Sequence, residues 1–132
     1  MHQKYVLVTG SSRGIGRAAA LKFAAQGFHV FLNCRRSLEE LSQVQKEILS
    51  EGASGCTPVP GDVGNPDEVR QIFDTIHSQC PALDVLVNNA GISHTGLLID
   101  MTDAQWNALL AGNLSSAFYC SREALKRMVS AK

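Results

Sequence analysis

"LVTGSSRGIG", residues 7–16, sets Gly10, Gly14 and Gly16 directly behind an apolar stretch. The preceding "YVLV" (5–8) reads as a short strand, and the Ala-rich run from about 14 to 26, ending at Gly27, reads as a helix. The three glycines therefore sit in the loop between a strand and a helix. Such a loop needs glycine wherever φ turns positive or the backbone must touch a ligand. The helix behind it offers unpaired N–H groups and a positive dipole end, which together suit a pyrophosphate. No Gly-Lys-Ser/Thr closes the loop, so the lysine and the magnesium-binding hydroxyl of a P-loop are missing.

The end of the next strand selects the ligand. "HVFLN" (29–33) is that strand, and "NCRRS" follows from Asn33. A site for NAD(H) places a carboxylate there, about 20 residues beyond the glycines, to bond the ribose 2′-hydroxyl. Here stand Cys34, Arg35 and Arg36, with no acid, and Arg13 lies inside the glycine loop itself. Guanidinium groups are bidentate, permanently charged donors that suit a 2′-phosphate. The reading is NADP(H) over NAD(H).

Strands and helices alternate along the rest of the chain. Ser37 and Glu40 are spaced as a capping box opening a helix with an apolar face of Leu41, Val44 and Ile48, stopped by Gly52. "CTPVP" (56–60) is a weak third strand, shortened by its prolines. Asn65, Pro66 and Glu68 read as N-cap, N1 and N3 of a helix whose core stripe is Val69, Ile72, Phe73 and Ile76. "DVLVNNAG" (84–91) is a fourth strand with a turn attached; Thr102 and Gln105 cap a helix carrying Trp106, Leu109 and Leu110, and a long helix runs from about 113 to 131. The expected fold is α/β, a Rossmann-type doubly wound parallel sheet cut to about four strands in the order 3-2-1-4, with helices on both faces. Residues 1–132 form one incomplete dinucleotide-binding domain in this reading.

Composition narrows the class further. Twelve basic and twelve acidic residues cancel, leaving no electrostatic footprint for nucleic acid or an anionic membrane. No apolar run reaches spanning length, and the N-terminal one is too short for a signal peptide. Cys34, Cys56, Cys80 and Cys120 form no CxxC pair, and none of the four histidines has another histidine at i+3 or i+4. Reduced thiols in a cytoplasmic protein, with no metal site, fit that pattern.

With these elements in place, the chain resembles the short-chain dehydrogenases/reductases throughout its length. The family's glycine motif matches Thr9-Gly10-Ser11-Ser12-Arg13-Gly14-Ile15-Gly16, and its "DV" adenine contact matches Asp62-Val63. Its "NNAG" matches Asn88-Asn89-Ala90-Gly91, supporting the sheet and lining the adenosine side, and its active-site asparagine matches Asn113. Residues 91–114 are similar to bacterial β-ketoacyl-acyl carrier protein reductases at Leu97, Leu98, Met101, Trp106, Asn113 and Leu114. The resemblance implies cofactor contacts from Gly10, Ser12, Arg13, Gly14, Ile15, Gly16, Arg35, Arg36, Asp62, Val63, Asn89, Ala90 and Gly91. It also implies a water held in a proton relay by Asn113. From the residues alone, Asn113 reads equally as a helix N-cap, and Asn88, Asn89 and Asp62 as turn formers.

The family's hydride transfer to a carbonyl, here a 3-oxoacyl thioester, uses a serine, a tyrosine, and a lysine four residues after the tyrosine. Four residues after Tyr5 comes Thr9, and four after Tyr119 comes Glu123, so neither tyrosine has the lysine. The match covers about the first half of a family member. The expectation is a catalytically incompetent N-terminal portion of a reductase, with a non-catalytic nucleotide-binding or interaction module, or one half of a split enzyme completed in trans, as alternatives. Leu114, Phe118, Leu125 and Met128 lie near one helical face. Self-association through 113–131, or through the open edge strand at 84–88, is expected.

Overall fold

Along β1 (Tyr5–Val8), Val6 and Val8 face one side of the sheet and Leu7 the other, and all three are fully buried. β2 (His29–Leu32) repeats the pattern, with Val30 and Leu32 opposite Phe31. A strand that is apolar on both faces belongs inside a sheet covered on both sides. The computed structural model, which describes residues 2–131, contains such a sheet.

Four parallel strands lie in the order β3-β2-β1-β4, with β3 at Cys56–Pro58 and β4 at Val85–Val87. Val6 stands level with Val30 on one side and Val85 on the other. α1 (Gly14–Ala25) and α2 (Leu38–Ser50) cover the face formed by Val6, Val8, Val30 and Leu32, contributing Ala20, Ala24, Leu41, Val44 and Ile48. α3 (Pro66–Gln79) and α5 (Ser116–Ser130) cover the opposite face, packing Val69, Ile72, Phe73, Ile76, Cys120 and Ala124 against Leu7 and Phe31. The chain changes face because it leaves one edge at β3 and returns at β4, beyond β1.

Local signals explain most element boundaries. The Asn65 side chain accepts hydrogen bonds from the amides of Asp67 and Glu68, with Pro66 at the first helical position of α3. Thr102 and Gln105 form a complete capping box on α4 (Asp103–Leu110). The Ser37–Glu40 box does not form, although Ser37 is the N-cap of α2. Its hydroxyl accepts instead from Arg13, which also pairs with Glu40, so both members of the expected box turn toward the glycine loop. The third and fourth strands are shorter than the stretches that announce them, spanning three residues each.

The expected break before the last helix is absent. α4 continues through a wide π turn at Ala111–Ser115 directly into α5. A 3₁₀ turn at Leu98–Asp100, which no sequence signal announced, precedes α4. Met128 packs on the core, whereas Val129 is 67% exposed, so Val129 replaces Met128 on the outward face of α5. All four cysteines are free thiols, and burial pushes Cys56 and Cys120 up to about 12 and Cys80 to about 11.

Candidate functional site

The strand order reverses between β1 and β4, and at such a switch point the loops beyond the strands part to leave a crevice. A cleft of about 600 Å³ lies there. Its walls are the glycine loop, the end of β2, the stretch after β3, the turn after β4 and the start of the π turn. Gly10, Ser12, Arg13, Arg35, Arg36, Asp62, Val63, Asn89, Ala90 and Gly91 all line it. Gly14, Ile15 and Gly16 do not, and Ile15 is 82% exposed. The sheet thus gathers ten expected residues from four segments widely separated in sequence.

The glycine loop is shaped by close approach. Gly10 has φ +61°, and a Cβ there would lie 2.8 Å from the Ala90 Cα. A Cβ on Gly16 would overlap the Gly10 carbonyl oxygen and the Asn89 Nδ2. α1 begins with no side-chain cap and no acid in its first turn, leaving its leading amides for a ligand.

Three side chains hold this loop, and none needs to touch a ligand to do so. The Thr9 hydroxyl accepts from the amides of Asn89 (3.0 Å) and Ala90 (2.9 Å). The Asn89 Nδ2 donates to the carbonyls of Thr9 and Gly10, so Asn89 braces the loop against β4. Asn33, buried at the end of β2, accepts from the Gly10 amide and donates to the Val59 and Gly61 carbonyls. Sequence reading took Asn33 only as the end of a strand. Its signal was available: it is the one polar residue closing the otherwise apolar run after His29.

Two of the three guanidinium groups lining the cleft are paired. Arg13 Nη2 donates to Ser37 Oγ at 3.0 Å, and its Nε lies 3.5 Å from Glu40 Oε2. Arg35 Nε lies 3.5 Å from Asp62 Oδ2, while Asp62 Oδ1 accepts from the Gly64 amide at 2.9 Å. Arg36 makes no ion pair among the described residues. Cys34, which also lines the cleft, is buried, and burial raises its thiol.

Asn113 lies inside the π turn and is not an N-cap. Its side chain pairs reciprocally with the Ile92 backbone, accepting from the amide and donating to the carbonyl, both at 2.9 Å. A Cβ on Gly91 would come within 2.7 Å of the Asn113 Oδ1, so that glycine admits the pairing. Asn113 thereby ties the turn after β4 to the helix, while Ala111 and Gly112 line the cleft in its place. Single π turns recur at functional sites. Neither tyrosine lines the cleft: Tyr5 stacks on Phe31 at the start of β1, and Tyr119 packs against the core from α5.

Comparison with known proteins agrees with this construction. The family model described as short chain dehydrogenase matches residues 4–132. A 3-oxoacyl-[acyl-carrier-protein] reductase of Staphylococcus aureus is 39% identical over 126 residues, covering 96% of this chain and 51% of that protein. The corresponding reductase of Synechocystis sp. is 40% identical over the same length, with the same coverage. The chain thus spans about half the length of the curated relatives it matches. Among solved structures, a metagenomic short-chain oxidoreductase crystallised with NADP superposes with a TM-score of 0.91 at 34% identity, covering 97% of this chain and 57% of that one. A glycine loop leading into α1, a strand order that reverses beside it and a sequence match over nearly every residue agree: the chain belongs to the short-chain dehydrogenase family.

Proposed function

We propose that this chain binds NADP(H) in the cleft and forms the cofactor-binding half of an oxidoreductase that reduces a carbonyl, with a 3-oxoacyl thioester as substrate class. The observation that carries the reading is the pairing of an uncapped helix start at Gly14 with guanidinium groups at the end of β2, where no carboxylate stands. The fit to a dinucleotide rests on the cradle itself. Side chains at Gly10 or Gly16 would collide with the backbone of the loop or its braces.

In this reading the leading amides of α1 hold the pyrophosphate, Arg13 and Arg36 face the 2′-phosphate, and Asp62 and Val63 border the adenine. When bound, the coenzyme supplies the hydride. Asn113 anchors the turn after β4 and keeps the nicotinamide side of the cleft in shape. The proton donor comes from outside these residues, because neither tyrosine reaches the cleft and neither has a lysine four places on. Alone, the chain is expected to bind coenzyme without turnover. Among the described residues no helix is long and apolar enough to cross a membrane. The four scattered, free cysteines support a cytoplasmic location.

Calorimetry tests the coenzyme assignment. NADPH should release binding heat and NADH much less. Arg36→Ala should weaken NADPH about tenfold while leaving NADH within about twofold, since a hydrogen bond to a charged group contributes roughly 1.5–3 kcal/mol. A clear preference for NADH would refute the assignment.

We also infer that the chain self-associates. On α5 and the turn before it, Leu114, Phe118, Leu125 and Val129 are each more than half exposed. Among the described residues β4 pairs only with β1, which leaves its outer edge open. Sedimentation velocity should show an oligomer that Leu114→Asp combined with Phe118→Asp converts to monomer. A monodisperse wild-type monomer would contradict this.

A further inference from the structure

Arg13 is the residue from which α1 starts, and Ser37 and Glu40 are the N-cap and third residue of α2. One guanidinium thus bridges the leading ends of two helices, donating to the Ser37 hydroxyl and pairing with the Glu40 carboxylate. The Glu40 field also reaches the end of β2. Burial raises the Cys34 thiol, a hydrogen bond donated by the Ser37 backbone amide opposes that rise, and the charge of Glu40 adds to it. A phosphate drawn to Arg13 and Arg36, which both line the cleft, would share the Arg13 guanidinium with this carboxylate. The residue that draws the phosphate in is therefore already engaged by an anion of the protein itself.

We propose that Glu40 is a specificity-determining residue of the cleft: it shares Arg13 with the 2′-phosphate and so tempers the preference for the phosphorylated coenzyme. The inference rests on the coenzyme assignment proposed above. The size of the effect follows from exposure. The Arg13 and Glu40 side chains are 72% and 51% exposed, so solvent screens the pair and the competition amounts to a few-fold change. Sharing also separates Glu40 from Glu39, which stands in the same first turn and makes no ion pair among the described residues.

The test compares NADPH and NADH binding by calorimetry for the wild-type chain, Glu40→Gln and Glu39→Gln. Glu40→Gln should tighten NADPH about threefold to fivefold and leave NADH within about 1.5-fold, from the worth of one exposed ion pair. Glu39→Gln, which removes the same charge from the same helix end, should move the NADPH-to-NADH ratio less than half as far. An unchanged ratio in Glu40→Gln would overturn the proposal, as would an equal shift in Glu39→Gln. Weaker NADPH binding in Glu40→Gln would also overturn it, because Glu40 would then be positioning Arg13. A folded wild-type chain that bound neither coenzyme would sink this proposal and the coenzyme assignment together. Measurable binding with an unmoved ratio would sink this one alone.

Discussion

Gly16→Ala is expected to destabilise the chain by about 1–3 kcal/mol and to abolish measurable coenzyme binding, reversing the usual sign for this substitution. Inside a helix, alanine normally gains about 1 kcal/mol over glycine. Gly16 lies in α1, so propensity alone argues for a more stable protein. Packing decides otherwise, because the new methyl would land on the Gly10 carbonyl oxygen and the Asn89 Nδ2. Both belong to the bracing network, so neither can move without releasing the loop. Gly14→Ala separates the effects: its φ is +60° and, among the described residues, nothing lies within 4 Å of a Cβ there. It should cost only the roughly 1–2 kcal/mol of a left-handed backbone, without a clash. Thermal melts of the two variants, read beside NADPH titrations, check the contrast. A Gly16→Ala protein as stable as wild type would show that the tight approach is not real.

Asn33→Ala should cost about 2–4 kcal/mol and weaken NADPH binding more than tenfold, although Asn33 does not line the cleft. The side chain makes three hydrogen bonds: one from the Gly10 amide at 3.3 Å and one each to the Val59 and Gly61 carbonyls, at 3.0 and 3.2 Å. Truncation leaves backbone groups at a buried site unpaired, which is the expensive way to lose a hydrogen bond. It also releases the glycine loop from the end of β2. Asn33→Asp distinguishes the donors from the acceptor: the carboxylate still accepts from Gly10 but cannot donate to either carbonyl. It should therefore be nearly as damaging. Urea denaturation provides the measurement, and a loss below about 0.5 kcal/mol in Asn33→Ala would contradict the bracing role.

How much of this was legible beforehand depended on the range of the interaction. The doubly covered sheet could be read because Val6, Leu7 and Val8 are apolar in sequence and so need cover on both faces. The Asn65 and Thr102 caps could be read because their partners stand within three residues. The Ser37–Glu40 box failed for the opposite reason: Arg13, more than twenty residues earlier, takes both partners. The π turn was invisible for a similar cause. Asn113 looks like a helix start, but its amide is satisfied by Ile92, which only the folded turn brings near. Asn33 was overlooked because its bonds go to loops whose positions sequence spacing does not give.

The wide turn at Ala111–Ser115 has a consequence for the exterior of the molecule. Each residue of an α-helix advances about 100° around the axis, so one extra residue rotates everything downstream by about that amount. Trp106, Leu110, Leu114 and Phe118, spaced four apart, would form a single ridge on an uninterrupted helix. The inserted residue breaks that ridge into two facets with different headings. A neighbour shaped to grip one facet is not thereby shaped to grip the other.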